Sequence, residues 1–367
     1  MTTHVQAGLA LLAGGLCACA LLLPHAPGQP ARPAVAFEDY PEITPRAYLC
    51  YRARGPVTID GKLDDAAWAD APWSEEFVDI QGDRKPKPRH RTRMKMLWDD
   101  QYLYIAARLE EPHVWATLTR HDSVIFHDND FEVFLDPDGD SHLYAELELN
   151  ALNTTWDLLL SRPYKDGGKA IDAWEIPGLR TAVHVDGTLN DPRDVDKGWA
   201  VEIAWPWRSL KELSYTPVPP RDGDRWRINF SRVQWRHEVV EGKYRKLKGP
   251  EDNWVWSPQG VIDMHRPERW GLLQFTTAAP DTGTFFPDPA AAVRHALHRV
   301  YYAQRDYRKA RGAWAAKLSD LGLSGAPFDK VKLETTATAF EAGLEQSIPG
   351  GKAMNWHIRS DARIWAD

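Results

Sequence analysis

Between residues 45 and 278 the chain is a succession of short runs in which apolar and polar residues alternate, each closed by Gly, Pro, Asp or Asn. A two-residue period puts successive side chains on opposite faces of an extended chain, and a helix cannot bury such a pattern on one side. Arg93–Trp98 alternates into Asp99-Asp100 and is followed by Tyr102–Leu109, which predicts a hairpin. Phe131–Leu135, Leu143–Leu149, Thr155–Leu160, Thr181–Val185, Trp199–Trp205, Trp226–Val233 and Leu272–Thr276 repeat the signal. About ten strands at this spacing predict a mostly β chain, an antiparallel β-sandwich of the jelly-roll or immunoglobulin-like kind. One helical turn is expected within it, Trp207–Leu213 after Pro206.

Composition narrows the partners. At 43% apolar in 367 residues the chain can bury a core, which excludes wholesale disorder. A net charge of −7 argues against nucleic acid as a partner. Three cysteines cannot build a disulfide framework, so packing must hold the fold. The 17 tryptophans are either core fillers or flat surfaces for a ligand.

The first 36 residues read as a signal with its linker. Ala7–Leu23 is apolar throughout and Pro24 ends it, with no Lys or Arg before Arg32. Leu16-Cys17-Ala18-Cys19 has the order of a bacterial lipoprotein box, which would place a lipid on Cys19. A cleaved signal peptide and an uncleaved anchor are the alternatives. All three export the rest of the chain to the periplasm, cell surface or exterior, and any membrane attachment is through the N-terminus alone.

Pro56-Val57-Thr58-Ile59-Asp60-Gly61-Lys62-Leu63-Asp64-Asp65-Ala66-Ala67-Trp68 resembles the opening of the family 9 carbohydrate-binding modules and their DOMON-like relatives. Leu97–Tyr104, Asp130–Asp136, Gly198–Trp205 and Arg266–Gly271 agree in order and spacing, so the resemblance spans roughly residues 50 to 276. It implies a β-sandwich over 45–278 that holds a glycan or sugar end on one sheet, in the service of carbohydrate catabolism. Placed by the family's motifs, the two sugar-clamping aromatic positions fall at Phe126 and at Met264-His265, neither of them Trp. Glu132 aligns with a family carboxylate and Asn150 with a family amide, while Glu148 stands where the family often has Arg.

Alternation puts Glu146, Glu148 and Asn150 on one face of their strand and Leu147 and Leu149 on the other. Three polar groups on one face beside Glu132 suit a ligand rim, although a solvated sheet face has the same pattern. Phe126, Trp156, Trp174, Trp235, Trp254 and Trp256 flank this region. Trp174, Trp254 and Trp256, in loop context, are the expected stacking platforms, whereas Trp68, Trp98, Trp199, Trp205 and Trp270 belong to strand motifs and to the core.

Asp136-Pro137-Asp138-Gly139-Asp140 places three carboxylates at alternate positions, a set that could hold a structural Ca²⁺ or simply close a hairpin. Two further functions stay open. One is a glycan-processing enzyme hydrolysing O-glycosyl bonds with Glu132 and Glu148, which rests on family association. The other is a haem-binding domain using Met94, Met96 or Met264 with a His. Neither a nucleophile elbow nor a Walker loop occurs.

Residues 286–367 lie beyond the resemblance. Asp288-Pro289 predicts a helix start, and apolar spacings of 3, 4 and 7 carry it about 30 residues to Gly322. Leu333–Leu344 and Met354–Trp365 flank Ile348–Gly351 as a hairpin. Helix plus hairpin is too small to stand alone and is expected to cap the sandwich, with partner binding as the alternative.

Overall fold

A computed structural model describes residues 43–347 and 352–367. The leader with Cys19 and the turn at 348–351 lie outside the described residues, and no described helix is long and apolar enough to cross a membrane. The strands of the first three-quarters of the chain are β1 (Ala47–Arg52), β2 (Val78–Asp79), β3 (Thr92–Trp98), β4 (Tyr102–Glu110), β5 (Asp130–Asp136), β6 (Tyr144–Asn150), β7 (Thr155–Leu160) and β8 (Ala170–Ile171). They continue as β9 (Arg180–Asp186), β10 (Gly198–Pro206), β11 (Arg225–Gln234), β12 (His237–Val240), β13 (Lys243–Lys246), β14 (Asp252–Val255) and β15 (Gly271–Thr276).

Two halves face each other. One runs β8-β7-β6-β5-β11-β15 and the other β3-β4-β10-β9, joined by β1, which pairs with β15 on one side and β3 on the other. The expectation of a wholly antiparallel sandwich holds except at this seam, where β1 is parallel to both neighbours. A parallel neighbour needs a long crossover, and residues 53–91 supply it. The helical turn at Trp207–Leu213 forms as a 3-10 helix.

The alternation decides what is inside. Met94, Met96, Ile105 and Leu109 of one half meet Phe131, Val133, Leu135, Leu147 and Leu149 of the other in one core, with Trp199, Trp205, Trp226, Trp254 and Trp256 filling it. Each buried aliphatic or aromatic side chain here contributes about 1.5–3 kcal/mol through removal from water. The same parity turns Asp130, Glu132 and Glu148 to the outer face of β5 and β6.

The Asp60-Gly61 turn near the start of the domain is held from a distance. Glu202 of β10 accepts hydrogen bonds from the N–H groups of Asp60 (2.9 Å) and Gly61 (2.8 Å) and from Nε1 of Trp68 (2.7 Å). Gly61 sits at φ +86°, and a Cβ there would lie 2.6 Å from the backbone of Val183 and His184. That position therefore requires glycine.

The C-terminal part corrects two expectations. The helix α1 is Ala291–Arg311, not 30 residues, because Gly312 in the left-handed region stops it. The apolar spacing runs on because Trp314, Leu318 and Leu321 still pack into the same core after the chain has left the helix. In place of a lone hairpin there are four antiparallel strands, β16 (Lys332–Thr335), β17 (Phe340–Gln346), β18 (Met354–Arg359) and β19 (Ile364–Ala366), with α1 against β17 and β18. Polar contacts dock this unit on the sandwich: Arg305 Nη1 on Asp166 (2.5 Å), Arg363 Nε on Asp140 (2.9 Å), and the hydroxyls of Tyr301 and Tyr302 on Asp166 and Glu268.

Candidate ligand face on the outer side of β5 and β6

Antiparallel register sets Asp130 opposite Asn150, Glu132 opposite Glu148 and Phe134 opposite Glu146. All six point outward, yet Glu132 is only 5% exposed and Glu148 2%, so the face is covered rather than solvated. Part of the cover is the 3-10 turn Ile125–His127. The Phe126 N–H donates to Glu148 Oε2 (2.8 Å), and Trp235 Nε1 donates to the Phe126 carbonyl (2.8 Å). Lys246 fastens the same turn through the His127 carbonyl (2.6 Å) and stands 3.9 Å over the Trp235 ring.

Beside the carboxylates lies a second apolar patch of Phe134, Tyr144, Leu158, Leu160 and Trp270, against which Trp156 and Met264 pack. Here the Tyr144 hydroxyl meets His265 Nδ1 at 2.9 Å. Tyr164, 45% exposed, stands edge-on to His265 with ring centroids 4.4 Å apart.

Burial governs the charge of this face. It lifts the carboxyls of Asp130, Glu146 and Glu148 well above the usual carboxylate range and Glu132 to about 7, reinforced at Asp130, Glu146 and Glu148 by the like charge of Glu132. Oxygens of Asp130, Glu132 and Glu148 lie within 4.8 Å of one another, too close for three ionised groups without a cation. A neutral carboxyl both donates and accepts, which suits hydroxyl ligands. No donor outside the carboxyl row reaches Asp130 Oδ2 or Glu146 Oε2; within the row Asp130 bonds to Glu132 and Glu146 to Glu148. Burial also lowers the pKa of His265 to about 4, so its ring is neutral.

The expected residues divide sharply. Glu132, Glu148, Phe126 and His265 come together around this face. Asn150 is on the face, but its amide is saturated: Nδ2 donates to the Leu118 carbonyl and Asp128, and Oδ1 accepts from Leu152 and Thr154. It holds the β6–β7 turn and has no hydrogen-bonding group left for a ligand. The three loop tryptophans are corrected outright as stacking platforms. Trp254 lies within β14, Trp254 and Trp256 are sealed in the core, and Trp174 is buried with Nε1 on Glu212 (2.6 Å). Short strands and close turns gave these residues loop-like neighbours in sequence while their rings turn inward.

Asp130 and Tyr164 were missed. Asp130 could have been found by extending the β5 alternation one residue back, whereas Tyr164, after Pro163, had no periodic signal. The haem reading loses two of its axial candidates, because Met94 and Met96 are wholly buried in the apolar core.

The Asp136–Asp140 loop fits a turn. Asp136 accepts from Gly139 and Ser141, Asp138 from Asp140 and Tyr215, and Asp140 from His142 and Arg363. Each of the six carboxylate oxygens accepts from the protein, one of them from the docking Arg363, and the three side chains also offer ligand atoms within 4.8 Å of one another, so the turn is held by its own hydrogen bonds and keeps lone pairs for a cation.

Residues 59–218 match the family model described as carbohydrate family 9 binding domain-like. Among solved structures, a family 9 carbohydrate-binding module from Caldicellulosiruptor kristjanssonii in complex with cellotriose is similar at 16% identity. The similarity covers 65% of this chain and 100% of that one, with a TM-score of 0.40. The same organism's family 9 module in complex with glucose gives 16% identity, 64% and 100% coverage, and a TM-score of 0.41. A Bacteroides uniformis protein with a provisional carbohydrate-binding name gives 14%, 63%, 100% and 0.48. No curated protein matches the chain.

Proposed function

We propose that this chain is an exported carbohydrate-binding protein that holds a sugar end against the outer face of β5 and β6. The observation that carries the reading is the row of buried carboxyls Asp130, Glu132, Glu146 and Glu148 beside an aromatic cluster, with Asp130 Oδ2 and Glu146 Oε2 reached by no donor outside that row. A sugar offers hydroxyls to the carboxyls and C–H faces to the partly exposed rings at their margin. Glu132, Glu146, Glu148 and Asp130 supply the hydrogen bonds, and Phe126, Trp156, Tyr164 and Trp235 supply aromatic surface. The family 9-like domain supports a sugar as the ligand, and the leader over residues 1–36 supports a place outside the cytoplasm, in polysaccharide use.

The test is a glycan array followed by calorimetry on the full chain, including oligosaccharide reducing ends. Binding in the micromolar to millimolar range, weakened at least tenfold in Glu146→Ala with the fold intact by circular dichroism, is expected. No glycan above background overturns the reading. Release of new reducing ends, lost in Glu132→Gln, would replace it with a hydrolytic one.

A further inference from the structure

At the edge of the sandwich, away from the carboxyl row, four side chains converge that no part of the sugar-binding reading uses. His121 Nε2 lies 3.3 Å from Asp122 Oδ1, 3.3 Å from Glu175 Oε2 and 3.6 Å from Asp157 Oδ1. They come from the 121–122 loop, from β7 and from the 172–177 loop.

His121 Nδ1 lies 3.0 Å from the Thr155 carbonyl oxygen and 3.1 Å from the Thr155 hydroxyl. Donation from Nδ1 to the carbonyl leaves Nε2 as a lone pair facing three acceptor-only carboxylates, the form of the ring that binds a cation. Asp157 points the same way: its side chain is 98% buried, Oδ2 accepts from the Ile176 N–H (2.7 Å), and Oδ1, facing His121, has no hydrogen-bond partner. Asp122 Oδ1 likewise accepts none.

We infer that His121, Asp122, Asp157 and Glu175 form a binding site for a divalent transition-metal ion, with Zn²⁺ the best fit. A tetrahedron with metal–ligand distances of about 2.0–2.1 Å has edges of about 3.3–3.4 Å. The Nε2 distances to Asp122 and Glu175 match, and His121, Asp122 and Glu175 offer ligand atoms within 4.8 Å of one another, while Asp157 stands slightly further out at 3.6 Å. The Thr155 carbonyl on Nδ1 is the outer contact that metal-bound imidazoles ordinarily have. One imidazole with three carboxylates favours zinc over calcium or magnesium, which take oxygen sets of higher coordination number. The ion ties the 172–177 loop, and with it Trp174, to β7. The rival occupant is a proton: an imidazolium at His121, favoured by the neighbouring carboxylates against the opposing effect of burial.

Calorimetry with ZnCl₂ on chelator-treated full chain at neutral pH decides between them. One Zn²⁺ per chain is expected, with a higher Tm, and calcium should not compete. His121→Asn and Asp157→Asn should abolish the heat, and the surface change Glu175→Gln should weaken affinity at least tenfold while leaving the zinc-free Tm unmoved. If the Asn variants misfold, the Glu175→Gln comparison alone decides. No stoichiometric binding, with the His121 ring protons titrating at a raised pKa indifferent to zinc, overturns the metal site. Stoichiometric binding unchanged in Glu175→Gln, His121→Asn and Asp157→Asn overturns it as well.

Discussion

Glu132 on β5 and Glu148 on β6 stand directly opposite each other in an antiparallel pair, both buried, with Asp130 and Glu146 one register step to either side. Burial pushes all four carboxyls upward, so this face keeps protons, and the capacity to donate, at a pH where ordinary carboxylates are fully charged.

This gives a pH dependence with a definite sign. Burial raises the Glu132 pKa from 4.5 to about 7, so its contribution to stability is fully present below pH 4.5 and lost as pH rises through 7. Urea unfolding at pH 5 and pH 8 should show wild type losing stability relative to Glu132→Gln on going to the higher pH, on the order of 3 kcal/mol. His265, with its pKa lowered to about 4, acts oppositely, losing its contribution as pH falls from 6.5. Only the difference between the two proteins isolates Glu132. Parallel stability curves for the two would show that Glu132 is ionised in the native state.

Glu202 is a structural clamp. Glu202→Ala leaves three donors, on Asp60, Gly61 and Trp68, without their acceptor, and a loss of about 3–5 kcal/mol is expected in chemical denaturation. Glu202→Gln keeps one acceptor oxygen and should lose less. Any glycan affinity should persist in Glu202→Gln under conditions where it is folded, since the clamp lies on another strand pair.

Trp256 should behave as core. A Cβ on Gly271 would lie 2.1 Å from the Trp256 ring, so Gly271→Ala is expected to destabilise by about 1–3 kcal/mol through overpacking. Trp256→Ala should cost about 3–5 kcal/mol. Thermal melts read both. A Trp256→Ala protein with unchanged Tm and lost ligand binding would restore the stacking role.

Asp166 should control how firmly the C-terminal unit is held. Its side chain is wholly buried between Arg305, Tyr301 and Lys165. Asp166→Ala is expected to lower stability by about 2 kcal/mol and to hasten cleavage in the 277–290 connection under limited proteolysis. Unchanged cleavage would place the docking energy elsewhere, for instance at Arg363 and Asp140.

Alternation was enough to place β3 through β7, β10 and β11 and to name their inward residues, because period-two patterning is local and burial on one face enforces it. The sequence by itself therefore determined a mostly β sandwich and the parity that puts Glu146 and Glu148 on one face of their strand and Leu147 and Leu149 on the other. It could not determine which outward face would be covered. Glu132 and Glu148 look like solvated strand positions until the Phe126 turn and Trp235, brought from far along the chain, close over them. Nor could it determine that Trp254 and Trp256 turn inward, that β1 is the parallel seam, or that His121 meets Asp157 and Glu175. Each of these depends on contacts between residues tens or hundreds of positions apart, and only the packed chain brings such groups within reach of one another.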